Sequence, residues 1–322
     1  MATQQYNTKL AYSKDQMYQY LKRINFLKME KKVIRGHVNS IPYGNLSYIY
    51  YKRLLKLEGN YPYTTQVVST DLQDIFKKMV LDERDGVCIE HNPLCAHMLM
   101  TLGFSAYLAT SNCVDPKFWD QSDAGAILGR TPKPILMEEG LIQQVNPLTE
   151  YRISRASYPD SVVQSTNPKN LPWLLESKTK ILPNKPQTRR NDWSPPTYIT
   201  TSPAYLKDIR VMNDMSSGLK LEKILRSFIL MTIETDKGYV TLRNKTLKIY
   251  TLNGVETIQL NSEKERRKAY LKYFNTKLPE DHKENLPSDI CNYISFISAD
   301  IKLKLLRNKT YNTIRYFSQK LI

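Results

Sequence analysis

Cysteine is scarce, with four in 322 residues, at positions 88, 95, 113 and 291. So few, spaced so unevenly, exclude a disulfide-stapled scaffold. No apolar run approaches the ~18 residues of a membrane-spanning helix. The opening stretch MATQQYNTKLAY lacks the apolar core of a signal peptide. A cytoplasmic, thiol-reducing setting with no membrane partner is the expectation. Histidine is as rare as cysteine, and none lies between His97 and His282. No block of consecutive lysines and arginines stands out, and no RNP, zinc-finger or basic-helix signature is present, which disfavours nucleic acid as a partner. There is no internal repeat.

What is present is a long chain with enough apolar residues, 41%, for a real core. Its length exceeds what one core usually organises, so two or three subdomains are expected. Lysine and arginine number 47 against 31 acidic residues, a net charge of +16. That balance either marks an ordinary solvated surface or favours an anionic partner such as a phosphate-bearing cofactor.

The first hundred residues read as largely helical. Ser13 can cap a helix over 13–35, with Met17, Tyr20, Leu21, Ile24 and Leu27 at helical spacing. Helix continues over 30–57, broken by SIPYGN at 40–45. Residues 69–80 form a short helix that Thr70 or Asp71 can cap. Asn92-Pro93 then has the chemistry of a cap and first-turn pair for a helix that Gly103 closes, and a start at Cys88, with Pro93 inside the helix, stays open. From 105 to about 210, short β-like runs such as FSAYLAT and PPTYITT alternate with turns, and 165–196 reads as one long irregular loop. Residues 219–235 mix helix and strand character, 238–260 carry hairpin turns at Arg243-Asn244 and Asn253-Gly254, and 262–274 is a helix with a Ser262…Glu265 capping box. The expected division is a helical domain over 1–104, a β domain over 105–212 and an α/β domain over 213–322.

Chemistry concentrates in RDGVCIEHNPLCAHMLMTLGF, residues 84–104. A thiol becomes nucleophilic when its thiolate is stabilised, by a helix N-terminus or by a neighbouring cation. Cys88 has Arg84 and Gly86 before it and a helix after it. It can equally be a small buried side chain. A third reading makes Cys88, His91, Cys95 and Cys113 a zinc set, although the spacing is not that of a ribbon or finger. His37 and His97 sit beside apolar neighbours and read as core or surface histidines, and His282 reads as part of an exposed loop.

The order of segments resembles the arylamine N-acetyltransferase family, with the flavour of its fungal members. YLKRINF (20–26) is similar to the family's opening helix, and IPYGNL (41–46) to its IPFENL element, with Tyr43 for Phe and Gly44 for Glu. Residues 72–104 resemble the segment ending in R-G-G-x-C-x-E-x-N, helix, L-G-F. Arg84, Gly86, Cys88, Glu90 and Asn92 fall on matching positions, and Asp85 replaces the first Gly. DWSPPTYITTSPAYLKDIRVMN (192–213), GYVTLRNKTLKIY and LNSEKERRKAYLKYFNTKLP look like the family's later elements. The resemblance implies an α+β fold with a cysteine-protease-like core, built of a helical bundle, a β-barrel and an α/β lid. It also implies ping-pong chemistry, in which a Cys-His-Asp triad takes acetyl from acetyl-CoA and passes it to an arylamine or hydrazine. Cys88 would be the nucleophile. Acetyl-CoA, or another acyl-CoA, would be a co-substrate with no permanently bound cofactor, a small aromatic amine the acceptor, and the protein a monomer.

Three departures bear on mechanism. The family's histidine, on a strand after L-G-F, has no counterpart. The aspartate element is eroded, leaving Asp120 or Asp123 in its place, and Cys88 to Asp123 is only 35 positions. About one strand and its turn are missing there by this reading. In the stretch that helps the family hold CoA, Ser216 and Ser217 remain while the Pro and Phe are gone. Arg84 is the remaining candidate for CoA. Without a base, a thiol of ordinary pKa of about 8.5 is only a few per cent thiolate at pH 7. The expectation is therefore an impaired N-acetyltransferase, with a catalytically degenerate scaffold that binds a ligand or partner as the alternative.

Overall fold

The computed structural model describes residues 10–26, 33–50, 68–104, 106–113, 137–138, 141–142, 147–155, 167, 171–180, 182–183, 193, 197–218, 228–282 and 284. The helical region begins with α1 (Lys14–Arg23), closed at its start by a reciprocal pair. Ser13 Oγ accepts from Gln16 N–H at 3.2 Å, and Gln16 Oε1 accepts from Ser13 N–H at 3.0 Å. The predicted single helix over 13–35 stops early, because Asn25 turns into the left-handed region at φ +53°. A second helix, α2 (Val33–Ser40), follows. Pro42 ends the helical run as expected, and β1 (Tyr43–Gly44) and α3 (Leu46–Ile49) come next. Asp71 caps α4 (Leu72–Phe76) by accepting from Gln73 and Asp74 N–H, and the chain continues as a π turn over Lys77–Leu81. The core of this region packs Tyr20, Ile24, Ile75, Met79, Leu94 and Met98. Each such burial contributes about 1.5–3 kcal/mol. Leu94 and Met98 come from α5 (Cys88–Thr101).

The middle of the chain builds an antiparallel sheet in the order β2-β7-β6-β5. Its strands are β2 (Ala109–Cys113), β5 (Thr149–Arg155), β6 (Trp173–Thr179) and β7 (Thr197–Pro203). A separate hairpin pairs β3 (Met137–Glu138) with β4 (Leu141–Ile142). Among the described residues this sheet is open, with β2 and β5 at its edges, and does not close into the expected barrel. Strand β6 lies inside the stretch read from sequence as loop. Its apolar opening, Trp173-Leu174-Leu175, is set between prolines, and strand pairing with β5 from Ile153↔Leu175 outward overrides that local punctuation. The FSAYLAT run becomes strand only from Ala109, and Phe104 and Tyr107 are exposed.

The last sheet is a meander, β8 (Leu230–Thr235), β9 (Gly238–Arg243), β10 (Thr246–Thr251) and β11 (Gly254–Gln259). Asn244, at φ +54°, and Gly254, at φ +128°, stand at the two turns marked in the sequence. The edge strand of this sheet is β1, which pairs with β8 through Tyr43↔Thr232 and Gly44↔Met231. A segment of the helical region is thus built into the third sheet. Helix α6 (Leu206–Gly218) precedes the meander, and α7 (Glu263–Phe274), capped by Ser262, buries Ala269, Tyr270 and Phe274 against it. No helix among the described residues is long and apolar enough to cross a membrane.

Candidate active site

Cys88 is the first residue of α5, and Val87 before it is extended at φ −97°, ψ 175°. The helix starts here rather than at Asn92. Pro93 therefore lies inside the helix and deprives the Ile89 carbonyl of its usual donor. The start is stabilised by Glu90, whose Oε2 accepts from Val87 N–H at 3.1 Å. Glu90 is itself held by Lys78 Nζ at 2.7 and 2.9 Å. The Cys88 thiol is half-buried. It sits at the N-terminus of a helix, where the dipole favours negative charge and so a thiolate.

The turn leading to Cys88 is tied down from several sides. Arg84 N–H donates to Lys78 O at 3.0 Å, which joins it to the π turn. Gly44 N–H donates to Gly86 O at 2.9 Å and Gly86 N–H to Pro42 O at 3.3 Å, which joins it to β1. Lys277 N–H donates to Glu83 O at 3.1 Å, and Lys277 Nζ pairs with Glu83 at 2.7 Å, which joins it to the chain just past α7. Gly86 is closely packed: a Cβ there would come within 2.7 Å of Met79 Cε, so the end of the Met79 side chain would have to shift. A side chain on such a fixed turn does not have to be ordered when it meets a ligand.

All four imidazoles of the chain are described, and two are deep in the core. His37 Nδ1 and Tyr20 OH are 2.9 Å apart, His37 Nε2 and His91 Nδ1 are 2.9 Å apart, and His91 Nε2 lies 3.0 Å from Pro42 O. The geometry assigns the protons. Pro42 O can only accept, so His91 Nε2 carries hydrogen. Neutral His91 then accepts at Nδ1 from His37 Nε2–H, and His37 accepts at Nδ1 from Tyr20 O–H. Both nitrogens of both rings are thereby committed, and neither ring has one left to deprotonate a thiol. Burial, then the neighbouring His91 and Arg23, holds His37 well below the ordinary histidine range. His97 lies nine residues past Cys88, about 13.5 Å along the helix and half a turn out of phase. Its ring packs edge-on to Tyr12, and burial lowers its pKa. His282 is half-buried after α7, where its carbonyl accepts from Arg267.

The other sequence candidates divide. Arg84 is buried, with Nε 4.0 Å from Asp85 Oδ1. Asp120 and Asp123 lie outside the described residues, and so do the side chains of Ser216 and Ser217 on α6. The zinc set loses His91, whose nitrogens are taken, and Cys95 is a buried thiol pushed up to about 12 by desolvation and hydrogen-bonded with Tyr20. Sequence reading missed two arrangements. One is the His37–His91 pair, whose partners are 54 positions apart. The other is the contact between Gly44 and Asp85, for which a signal existed: both depart from the family pattern, one losing a carboxylate and the other gaining one.

Residues 27–126, which contain Cys88, match the family model described as N-acetyltransferase. No curated protein matches the chain. Among solved structures, the arylamine N-acetyltransferase of M. smegmatis is similar at 19% identity and TM-score 0.59, covering 84% of this chain and 96% of that one. A Bacillus cereus arylamine N-acetyltransferase, described as having a Cys-His-Glu catalytic triad, is similar at 12% identity and TM-score 0.55, over 83% of this chain and 100% of its own. The Mycobacterium marinum arylamine N-acetyltransferase, solved in complex with CoA, is similar at 18% identity and TM-score 0.55, over 80% and 92%.

Proposed function

We propose, for a chain whose residues 27–126 match the N-acetyltransferase family model and whose fold is similar to that of the arylamine N-acetyltransferases, that Cys88 carries acyl groups from acetyl-CoA to an arylamine or hydrazine. The Cys88 thiolate attacks the thioester carbonyl carbon, the new S–C bond forms, and CoA leaves as the thiol after taking a proton. The amine nitrogen then attacks acetyl-Cys88, loses its proton, and restores the cysteine. In this reading a backbone N–H at the start of α5 stabilises the oxyanion of each step. The observation that carries this reading is Cys88 on the first turn of α5, at the end of a backbone turn fixed on several sides. The M. marinum relative in complex with CoA supports acyl-CoA as donor.

The acyl transfer is slow at neutral pH. His37 and His91 are spent on each other, Tyr20 and Pro42, so neither serves as the base that deprotonates the thiol. Loss of a triad histidine costs several orders of magnitude in comparable enzymes. The remaining features of the reading are one helical, one β and one α/β domain at the boundaries given above, a β domain completed towards a barrel, a monomer, a cytoplasmic location, Asp120 or Asp123 as the triad acid, and Ser216, Ser217 and Arg84 beside CoA. The test is to mix the pure protein with acetyl-CoA and an arylamine and follow free CoA and the mass of the protein. The reading expects a +acetyl adduct on Cys88 and slow CoA release that a Cys88→Ala control lacks. Turnover equal to that control defeats it.

The commitment of both core imidazoles favours a second reading, a degenerate scaffold that keeps a ligand site without turnover. It expects calorimetric binding of CoA with no adduct on Cys88 after prolonged exposure to acetyl-CoA. Detection of the adduct removes it.

A further inference from the structure

The turn that presents Cys88 conceals a carboxylate. Asp85 is 0% exposed. Its Oδ2 accepts from Leu46 N–H, the opening amide of α3, at 2.8 Å. Its Oδ1 has no hydrogen-bond partner among the described residues, and neither has Arg84 Nε at 4.0 Å. Burying charge this way is costly unless it secures something else.

The room for it comes from residue 44. A Cβ on Gly44 would stand 2.7 Å from Asp85 Oδ2 and 3.1 Å from Asp85 Cβ, closer than side chains pack. Gly44 and Asp85 are therefore a fitted pair, the one bare so that the other can enter. Their segments are also joined by Gly44 N–H to Gly86 O at 2.9 Å. Asp85 links β1 and the start of α3 to the turn that ends, three residues on, at Cys88.

Resting on the acyl-transfer reading above, we infer that Asp85 is a positioning residue: its buried carboxylate, admitted by the bare Gly44, fixes the Gly86–Cys88 turn so that the sulfur meets the face of the acyl carbonyl. It does not touch the donor. Its loss lowers the rate of thioester formation at saturating acetyl-CoA and leaves the half-saturating acetyl-CoA concentration in place.

The experiment measures acetyl-Cys88 formation by intact mass over a range of acetyl-CoA concentrations, and alkylation of Cys88 by iodoacetamide, in folded full-length variants. Asp85→Ala is expected to slow thioester formation about tenfold, with half-saturation within about twofold of the parent. Asp85→Asn, which keeps an acceptor for Leu46 N–H, is expected to recover most of that rate. Gly44→Ala is expected to slow the reaction as well, and adding Asp85→Ala to it is expected to cost less than the two single changes combined. Additive losses, or a rise in half-saturation at an unchanged rate, overturn the inference. If the parent forms no thioester, the acyl-transfer reading has failed, and alkylation decides for Asp85 alone. Alkylation rates equal in parent, Asp85→Ala and Gly44→Ala overturn the positioning role, whereas a changed rate restored by Asp85→Asn supports it.

Discussion

The start of α5 and the stretch that follows it put the same residue types to opposite uses. Cys88, at the N-terminus, is half-buried and meets the dipole of its helix. Cys95, seven residues and about 10.5 Å further on, is buried against Tyr20, and desolvation pushes its thiol up to about 12. Between them His91 turns into the core and spends both nitrogens there. One helix therefore carries a half-buried thiol at its N-terminus and, a turn away, an imidazole committed to the core. Reactivity here follows the place of a group along the helix, and the presence of cysteine and histidine close in sequence says little about their working together.

The strongest way to break this comparison is to remove the half-buried sulfur. Cys88→Ala is expected to abolish the acetyl adduct and all acetyl-CoA-dependent CoA release, while circular dichroism and melting stay near the parent, because the side chain is half-buried at a helix start. Cys95→Ala is expected to retain the adduct. An adduct that survives in Cys88→Ala and is lost in Cys95→Ala would reverse the assignment of the two thiols.

The next effect is kinetic. At pH 8 a thiol with a pKa of about 12 is ionised to only about one part in ten thousand. Iodoacetamide is expected to label Cys88 of the native protein at least a hundredfold faster than Cys95, with the difference collapsing in denaturant. Peptide mapping after timed quenching measures both. Equal native labelling would mean that α5 opens as readily around Cys95 as at its start.

Smaller than these, and about stability alone, is truncation in the histidine pair. His91→Ala removes a buried ring and leaves His37 Nε2–H and one acceptor site of Pro42 O without partners. It is expected to cost roughly 3 kcal/mol in urea unfolding, the sum of a cavity and stranded polar groups. A loss below about 1 kcal/mol would show that the pair is replaced by water at little expense.

Local chemistry was legible where it is settled within a few residues. The Ser13, Asp71 and Ser262 caps, the break at Pro42 and the turns at Asn244 and Gly254 all stand where the sequence marks them. The start of α5 was not settled, because Asn92-Pro93 has the chemistry of a helix start. Glu90, held by Lys78 from twelve positions away, moves that start to Cys88. Strand β6 was hidden by its flanking prolines, since its pairing with β5 and β7 is made at long range. The candidate nucleophile was legible because a motif surrounds it. The fate of the imidazoles was not, because it rests on contacts between residues 20, 37, 42 and 91 that no window of sequence holds together.

The mildest prediction concerns acid. His37 is fully buried and held neutral, facing Tyr20 OH on one nitrogen and His91 on the other, with Arg23 adding positive potential. In the unfolded chain its pKa returns to about 6.5. The unfolded state therefore binds the proton first, and stability present above about pH 6.5 is lost as pH falls towards the depressed folded value. The slope contributed by this one group is at most about 1.4 kcal/mol per pH unit. Carboxylates add their own slope at lower pH, so the measurement is a difference. Urea unfolding of the parent and of His37→Gln is compared at pH 7.5, 6.5 and 5.5. The variant is expected to be less stable throughout but to lose less between pH 6.5 and 5.5 than the parent does. Parallel losses in the two proteins would mean that the core admits the proton, and the contrast between the two parts of α5 would then rest on the thiols alone.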